Sequence, residues 1–145
     1  MIKLNFTILG NPITKKNSQR IIKVKLKNGR CFHKIMPSKA FEKYEKECKP
    51  YMSKVKEPII VPVNLKCIYY MKTKRAVDLL NLLEGTADIL VDYGVLADDN
   101  RDIVYSTDGS KVLYDKNNPS VEVEIVEQAG CEVERWKKQL KRLKK

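Results

Sequence analysis

The chain has 145 residues, which is enough for one domain with a substantial hydrophobic core. No apolar run approaches the roughly 20 residues that cross a bilayer, so the sequence argues against a membrane-spanning protein. A net charge of +11, from 29 Lys and Arg against 18 Asp and Glu, favours a polyanionic partner such as nucleic acid or an anionic membrane surface. Four cysteines without CxxC spacing and a single histidine argue against a zinc site.

The N-terminal segment, MIKLNFTILG, lacks the basic start, apolar middle and small-residue cleavage site of a signal peptide, and we therefore expect a cytoplasmic protein. Residues 2–9 alternate apolar and polar side chains and predict a β-strand. Residues 14–20, TKKNSQR, form a basic polar loop that could contact phosphate or simply be solvated. The candidate phosphate contacts are Lys15, Lys16, Asn17, Ser18 and Arg20. Residues 20–26 and 30–36 flank an Asn-Gly pair and predict a β-hairpin.

A helix is predicted next, from Lys39 to about Val55, with Ser38 as its N-cap. Its core-facing stripe would consist of Phe41, Tyr44, Cys48, Tyr51, Met52 and Val55. Such an aromatic stripe at helical spacing indicates packing rather than ligand binding. Residues 61–71 are rich in β-branched and aromatic side chains, and they predict a central strand.

Residues 74–99 carry the strongest pattern, because at 100° per residue they predict an amphipathic helix with an acidic side. The apolar face consists of Leu79, Leu82, Leu83, Ala87, Ile89 and Leu90. The polar face consists of Asp78, Asn81, Glu84, Asp88 and Asp92. Lys74 and Arg75 precede this helix, and the adjacent carboxylates Asp98 and Asp99 follow it after a glycine turn.

The C-terminal third adds strands and one more helix. Residues 102–107 and 110–114 look like strands of a hairpin around an Asp-Gly turn, and residues 121–126 alternate as a final strand. Residues 131–145 predict a basic amphipathic helix that docks on the domain or a second subunit, or else contacts nucleic acid. Its apolar side would consist of Val133, Trp136, Leu140 and Leu143. We therefore expect one α+β domain over residues 1–128, with a mixed β-sheet and helices packed on one face, followed by the basic helix within 129–145.

The concentration of acids in a basic chain needs a physical reason. Two carboxylates about 4 Å apart repel by roughly 1 kcal/mol in water and several-fold more near a protein surface. A fold keeps such pairs when a cation neutralises them or when protons remain bound. Magnesium prefers hard oxygen ligands and leaves coordination positions for water and phosphate, so carboxylates beside basic groups favour phosphodiester hydrolysis. The alternative is that the acids form the solvated face of the helix and that Asp98 and Asp99 belong to a turn.

The same residues resemble the RusA family of Holliday junction resolvases, which is common in bacteria and prophages. That family's pattern is a basic lead-in, then D-x-[DT]-N-L-x-[KE], an Asp and a Leu one turn later, a Gly, and a D-D pair followed by an apolar residue. The matching residues are Lys72, Lys74, Arg75, Asp78, Asn81, Leu82, Glu84, Asp88, Leu90, Gly94, Asp98, Asp99 and Ile103. Residues 10–20 resemble the family's proline-containing Asn/Arg loop, and Lys111 and Pro119 stand where members often have Lys and Pro. The resemblance covers residues 1 to about 126.

The resemblance implies a RusA-like fold and a Mg²⁺-dependent endodeoxyribonuclease of DNA recombination and repair. Such a protein would cleave four-way DNA junctions as a homodimer, with the metal near the subunit interface. By this likeness Asp78 and Asp99 are required metal-binding aspartates, and Asp98 and Asp88 are acids beside them. Lys111 would face the phosphate. The nucleic-acid-binding residues would be Lys15, Lys16, Asn17, Arg20, Lys72, Lys74 and Arg75.

Two positions depart from the best-studied form of the family pattern. Leu80 stands where the pattern has an acid, and leucine cannot bind magnesium. Glu84 stands where the best-studied pattern has a lysine, and we hypothesise that it replaces the missing metal ligand. The departures leave two alternatives to an active nuclease. One is a catalytically weak or inactive protein that binds branched DNA, and the other is an interaction protein that docks through its C-terminal helix.

Overall fold

The computed structural model describes residues 1–15, 20–128 and 131–144 of the chain. The side chains of residues 131–133 and 136 also lie outside the description. The described strands are β1 (Lys3–Leu9), β2 (Arg20–Lys25), β3 (Cys31–Met36), β4 (Val63–Met71), β5 (Val104–Ser106), β6 (Lys111–Tyr114) and β7 (Ser120–Glu127). The described helices are α1 (Lys39–Cys48), α2 (Leu79–Asp92) and α3 (Cys131–Leu143).

The main sheet is mixed, as the sequence predicts. Strand β7 lies between β1 and β4 and is antiparallel to both of them. Strands β5 and β6 both pair in parallel with the other edge of β4. Helix α2 makes the crossover between β4 and β5, which parallel neighbours require. The α+β class and the mixed sheet are therefore confirmed.

The core lies between one face of this sheet and helices α1 and α2. Alternate residues of β4 and β7 are buried, as the period-2 pattern of both strands predicts. The buried strand residues are Val63, Leu65, Cys67, Tyr69, Val121, Val123 and Ile125. The Tyr69 hydroxyl and the Thr86 hydroxyl of α2 hydrogen-bond at 2.7 Å inside the core. On the other face of the sheet, Lys66 forms an ion pair with Glu124, so that glutamate points away from the core as predicted.

The first helix ends earlier than the sequence indicates. The prediction that it continues to about Val55 is wrong, because α1 ends at Cys48 and residues Lys49–Tyr51 form a 3₁₀ turn. Pro50 provides the reason, because proline has no backbone N–H with which to continue the helical hydrogen bonds. Lys49 still has helical backbone angles, and the chain becomes extended at Met52. Ser38 does cap the helix, since its hydroxyl accepts a hydrogen bond from the backbone N–H of Phe41.

The predicted hairpin around Asp108 and Gly109 is also wrong. Strands β5 and β6 do not pair with each other, because they follow one another along the same edge of β4. The side chain of Asn64 provides the reason. Its Oδ1 accepts hydrogen bonds from the Ser106 hydroxyl at 2.6 Å and from the Asp108 backbone N–H at 2.8 Å. These bonds hold the turn against β4, so the chain continues in the same direction after it.

The predicted hairpin of β2 and β3 is confirmed, with Lys25 opposite Cys31 at its outer end. The predicted C-terminal helix is also confirmed as α3. Of its predicted apolar side chains, Val133 and Trp136 lie outside the described side chains, while Leu140 is half-buried. Leu140 lines a groove together with Ile60 and Pro62, which places α3 beside the segment that leads into β4.

Candidate metal and nucleic-acid site

Helix α2 presents its polar residues along one exposed side, and the carboxylate of Asp88 in this row forms an ion pair. The Lys15 ammonium group forms an ion pair with Asp88 at 2.9 Å. The hydrogen bond to Asp88 raises the pKa of Lys15, and the nearby charges of Asp92 and Glu45 act in the same direction against the effect of burial. The end of the basic loop thus lies against the acidic side of α2.

The adjacent carboxylates Asp98 and Asp99 return to the same part of α2. Backbone hydrogen bonds from Ile59 to the Val95 carbonyl and from Ala97 to the Ile59 carbonyl, both 3.0 Å, fix the segment just before them. The Asp98 side chain accepts hydrogen bonds from the Asp99 backbone N–H and from the neighbouring asparagine side chain. The turn itself follows at residues 101–103.

The pKa of Asp99 reflects burial and acidic neighbours. Partial burial raises the pKa of Asp99, and hydrogen bonding with the carboxyl groups of Asp88 and Asp98 raises it further. A raised pKa means that ionised Asp99 is disfavoured in the folded protein, because like charges are close and water is partly excluded. A bound cation would remove that cost.

A second carboxyl pair lies one turn further along α2 and was not predicted. Glu45 of α1 approaches Asp92, and burial followed by hydrogen bonding with Asp92 raises the pKa of Glu45 to about 7. The Tyr93 hydroxyl donates a 2.7 Å hydrogen bond to the backbone carbonyl of Glu45, which fixes α1 against the end of α2. This contact depends on how the two helices pack, and the sequence around Glu45 contains no signal for it.

The Glu45 pair predicts a pH-dependent stability. The pKa of Glu45 is about 7 in the folded protein against 4.5 as its ordinary value, so the folded state binds more protons between about pH 4.5 and 7. The free energy of unfolding should therefore fall as pH rises through this range. The expected change is about 1 kcal/mol, because Glu45 is only half-buried and solvent screens its charge. Glu45→Gln can still donate a hydrogen bond to Asp92, but it does not titrate. The free energies of unfolding of this variant, measured with urea at pH 5 and pH 7.5, should therefore lack this part of the pH dependence. Glu47→Gln, on the exposed side of the same helix, is the control, and parallel slopes for wild type and Glu45→Gln would contradict the assignment.

Asp78, by contrast, is the N-cap of α2. Its side chain accepts a 3.0 Å hydrogen bond from the backbone N–H of Leu80. It lies ten residues before Asp88, or about 15 Å along the helix axis at 1.5 Å per residue. None of the contacts recorded for the described residues joins Asp78 to Asp99. Glu84 is exposed one turn before Asp88, on the same side of the helix.

The predicted basic residues occupy different parts of the molecule. Lys74 lies over the ring of Tyr114, 5.1 Å from its centroid, and Arg75 is exposed beside it. The backbone N–H of Lys72 donates to the Asn11 side chain at 2.9 Å. Lys111 of β6 lies opposite Ile68 of β4, so their side chains point to the same face of the sheet. The residues on either side of Ile68 in β4 face the helices. Ile68 and Lys111 therefore lie on the other face of the sheet.

Arg20 has a structural partner in the described fold. Its guanidinium group donates to the Pro37 carbonyl at 3.2 Å and forms an ion pair with Glu42 at 3.4 Å. The predicted phosphate contacts Lys16, Asn17 and Ser18 lie outside the described residues. Of the candidate phosphate contacts in the predicted basic loop, the structure therefore describes Lys15 beside Asp88 and Arg20 at the base of the hairpin.

The donor set determines which metal the site could accept. Among the described residues, no group of three or more His, Cys, Asp or Glu side chains is arranged to hold a metal ion together. Magnesium, however, is commonly held by one or two carboxylates, with water and substrate phosphate completing its octahedron. Asp88 and Asp99 are the carboxylates of this region that would provide such hard oxygen ligands. The residues present thus fit a magnesium ion that is shared with a substrate.

No protein-family model matches the chain, and no curated protein matches it either. None of the helices in the described part of the chain has the length and apolar content of a bilayer-spanning segment.

Proposed function

We propose that this protein is a Mg²⁺-dependent, structure-specific endodeoxyribonuclease that cleaves four-way DNA junctions in recombination and repair. The observation that carries the proposal is the ion pair of Lys15 with Asp88 at 2.9 Å on the acidic side of α2, in a chain of net charge +11. The raised pKa of Asp99, to which Asp88 and Asp98 contribute, supports it. The resemblance of residues 1–126 to the RusA family supports the choice of substrate.

The residues divide into two groups in this proposal. Asp88 and Asp99 would hold the magnesium ion, with the Asp98 side chain fixing the backbone of Asp99 by accepting a hydrogen bond from its N–H. The bound ion would polarise the phosphodiester and lower the pKa of a water molecule. The ammonium group of Lys15, next to Asp88, would neutralise a phosphate oxygen that approaches the ion. Exposed Lys74 and Arg75 would bind the strands beyond the site.

We further propose that the protein acts as a homodimer in the cytoplasm. A four-way junction has two-fold symmetry, so a two-fold dimer presents two equivalent sites to two opposed strands. The roles of Asp78, Glu84 and Lys111 stay predictions from the resemblance. Within one subunit, none of the contacts of the described residues joins any of the three to Asp88 or Asp99.

The direct test uses purified protein and a synthetic four-way junction with each strand labelled in turn. Paired nicks should appear in opposed strands with Mg²⁺ and disappear with EDTA. A linear duplex of the same sequence should be cut at least about tenfold more slowly. A protein that binds the junction but leaves it intact with both Mg²⁺ and Mn²⁺ would contradict the proposal.

A second candidate function is a branched-DNA-binding protein without catalysis, and one observation favours it. Leu80, where the family pattern has an acid, is 72% exposed on the first turn of α2. A carboxylate at that position could have faced a ligand, whereas leucine cannot. In this case junction affinity should be independent of Mg²⁺, and Asp78→Asn, which preserves N-capping, should leave affinity unchanged.

A further inference from the structure

The charge of this protein is concentrated in its first segment. Residues 1–41 contain ten Lys and Arg and no acidic residue, since the first carboxylate in the chain is Glu42. The remaining residues contain 19 Lys and Arg against 18 Asp and Glu. Almost the entire net charge of +11 therefore belongs to residues 1–41, which include the hairpin of β2 and β3.

The hairpin extends from the rest of the fold. Among the described strands, β2 and β3 pair only with each other and form a separate two-stranded sheet. Arg20 ties its base to α1 through Pro37 and Glu42. Strands of six residues at about 3.4 Å per residue place the turn roughly 20 Å from that base. The hairpin therefore has the shape of an anchored arm with a free end.

The surface of the arm is both cationic and apolar. Its cations are Arg20, Lys23, Lys25, Lys27, Arg30 and Lys34. Ile21 and Ile35 lie opposite each other across the two strands and are 71% and 66% exposed. An isolated two-stranded hairpin is at best marginally stable in water, and exposed apolar side chains of this kind mark an interaction surface.

The distribution of charge identifies the partner. On one face Lys23 and Lys25 accompany Ile21 and Ile35, and on the other Lys34 accompanies the apolar side chains, so both faces are cationic. A membrane-surface element instead separates an apolar face from a cationic one. A second copy of the arm would be repelled, because neither copy has an acidic residue between positions 20 and 36. A polyanion that surrounds the arm satisfies both faces.

We propose that the β2–β3 hairpin is a DNA-binding ribbon that enters the major groove of a duplex, an inference that rests on the proposed function for its choice of nucleic acid. The major groove of B-form DNA is about 12 Å wide and admits a two-stranded β-ribbon. Lysines on both faces of the ribbon then reach the phosphates on both sides of the groove, and the exposed isoleucines contact base edges and sugars. The deep, narrow major groove of an RNA duplex excludes such a ribbon.

The test measures duplex binding in EDTA, where cleavage does not contribute. The hairpin variant is Lys23→Gln, Lys25→Gln and Lys27→Gln. The matched control is Lys46→Gln, Lys54→Gln and Lys56→Gln, which removes the same charge from exposed positions on and after α1. The hairpin variant should weaken binding to a 30-base-pair DNA at least about tenfold, and its slope of log affinity against log salt should decrease by about 2.7, or 0.9 for each lost phosphate contact. The control should change affinity less than about threefold.

The outcomes separate this inference from the proposed function. No DNA binding by the wild type would overturn both, whereas equal losses in the two triple variants would overturn the ribbon alone. If the hairpin variant lost equal affinity for a DNA duplex and for an RNA duplex of the same sequence, entry of the hairpin into the major groove would also be overturned. A fluorophore on exposed Cys31, in a Cys131→Ser background, gives a local readout, because Cys48 and Cys67 are buried. Its emission should change on adding the DNA duplex and not on adding phosphatidylserine vesicles, and a response to the vesicles alone would overturn the assignment.

Discussion

Asp99→Asn is expected to lower Mg²⁺-dependent cleavage of a four-way junction by about 100-fold or more, without weakening junction binding in EDTA. The substitution keeps the shape of the side chain but removes one of the two carboxylates that would hold the ion. It also removes the charge that burial and the neighbouring acids disfavour in the folded protein. The thermal stability should therefore stay the same or rise, which distinguishes a lost ligand from a damaged fold.

The matched control for this experiment is Asp108→Asn. Asp108 lies in the exposed turn between β5 and β6, and its described hydrogen bonds use backbone atoms, so the same chemical change should leave cleavage and stability nearly unaltered. Titrating Mg²⁺ adds a further readout, because a lost ligand raises the metal concentration needed for half-maximal cleavage. Full activity of Asp99→Asn at low Mg²⁺ would remove Asp99 from the site.

The sequence predicts those parts of the fold that depend on local pattern. The burial of β7 follows from strict alternation, and α2 follows from its 3.6-residue periodicity. One of the two wrong predictions concerns contacts that are not local: Asn64 holds the turn after β5 against β4, although Asp-Gly in that turn is typical of a hairpin. The other is local, because α1 ends beside Pro50, whereas the predicted end at about Val55 followed the apolar spacing.

The candidate site likewise has features that the sequence predicts and features that only the structure shows. The acidic side of α2 and the pair at Asp98 and Asp99 could be recognised from spacing, because both signals lie within one continuous stretch. The approach of Asp99 to Asp88 depends on the backbone contact of Ile59 with the segment before Asp98, which no local pattern shows. Glu45 reaches Asp92 only because α1 packs against the end of α2. The excess of positive charge was visible in the sequence, but its exposure on a separate arm required the structure.

Phe41→Ala is expected to lower the free energy of unfolding by about 3–5 kcal/mol, the usual cost of truncating a buried phenylalanine. Phe41 is 1% exposed and packs where α1 meets α2. A Cβ atom on Gly85 of α2 would lie only 3.1 Å from the Phe41 ring, so the helices approach closely at this point. The same ring has the Lys15 ammonium group 5.9 Å from its centroid. Losing the ring therefore opens a cavity in the core and removes the support beneath the lysine that pairs with Asp88.

The control for this prediction is another phenylalanine of the same chain. Phe32 lies on the hairpin arm and is 44% exposed, so Phe32→Ala should lower the free energy of unfolding by less than about 1 kcal/mol. Urea unfolding of the two variants compares the same chemical change in the core and on the arm. Since the helix contact positions Lys15 and Glu45 together, Phe41→Ala should also flatten the pH dependence attributed to Glu45, while Phe32→Ala should leave it unchanged. Equal destabilisation by the two substitutions would mean that the arm is part of the folded core, and it would contradict both the packing of α1 on α2 and the independence of the arm.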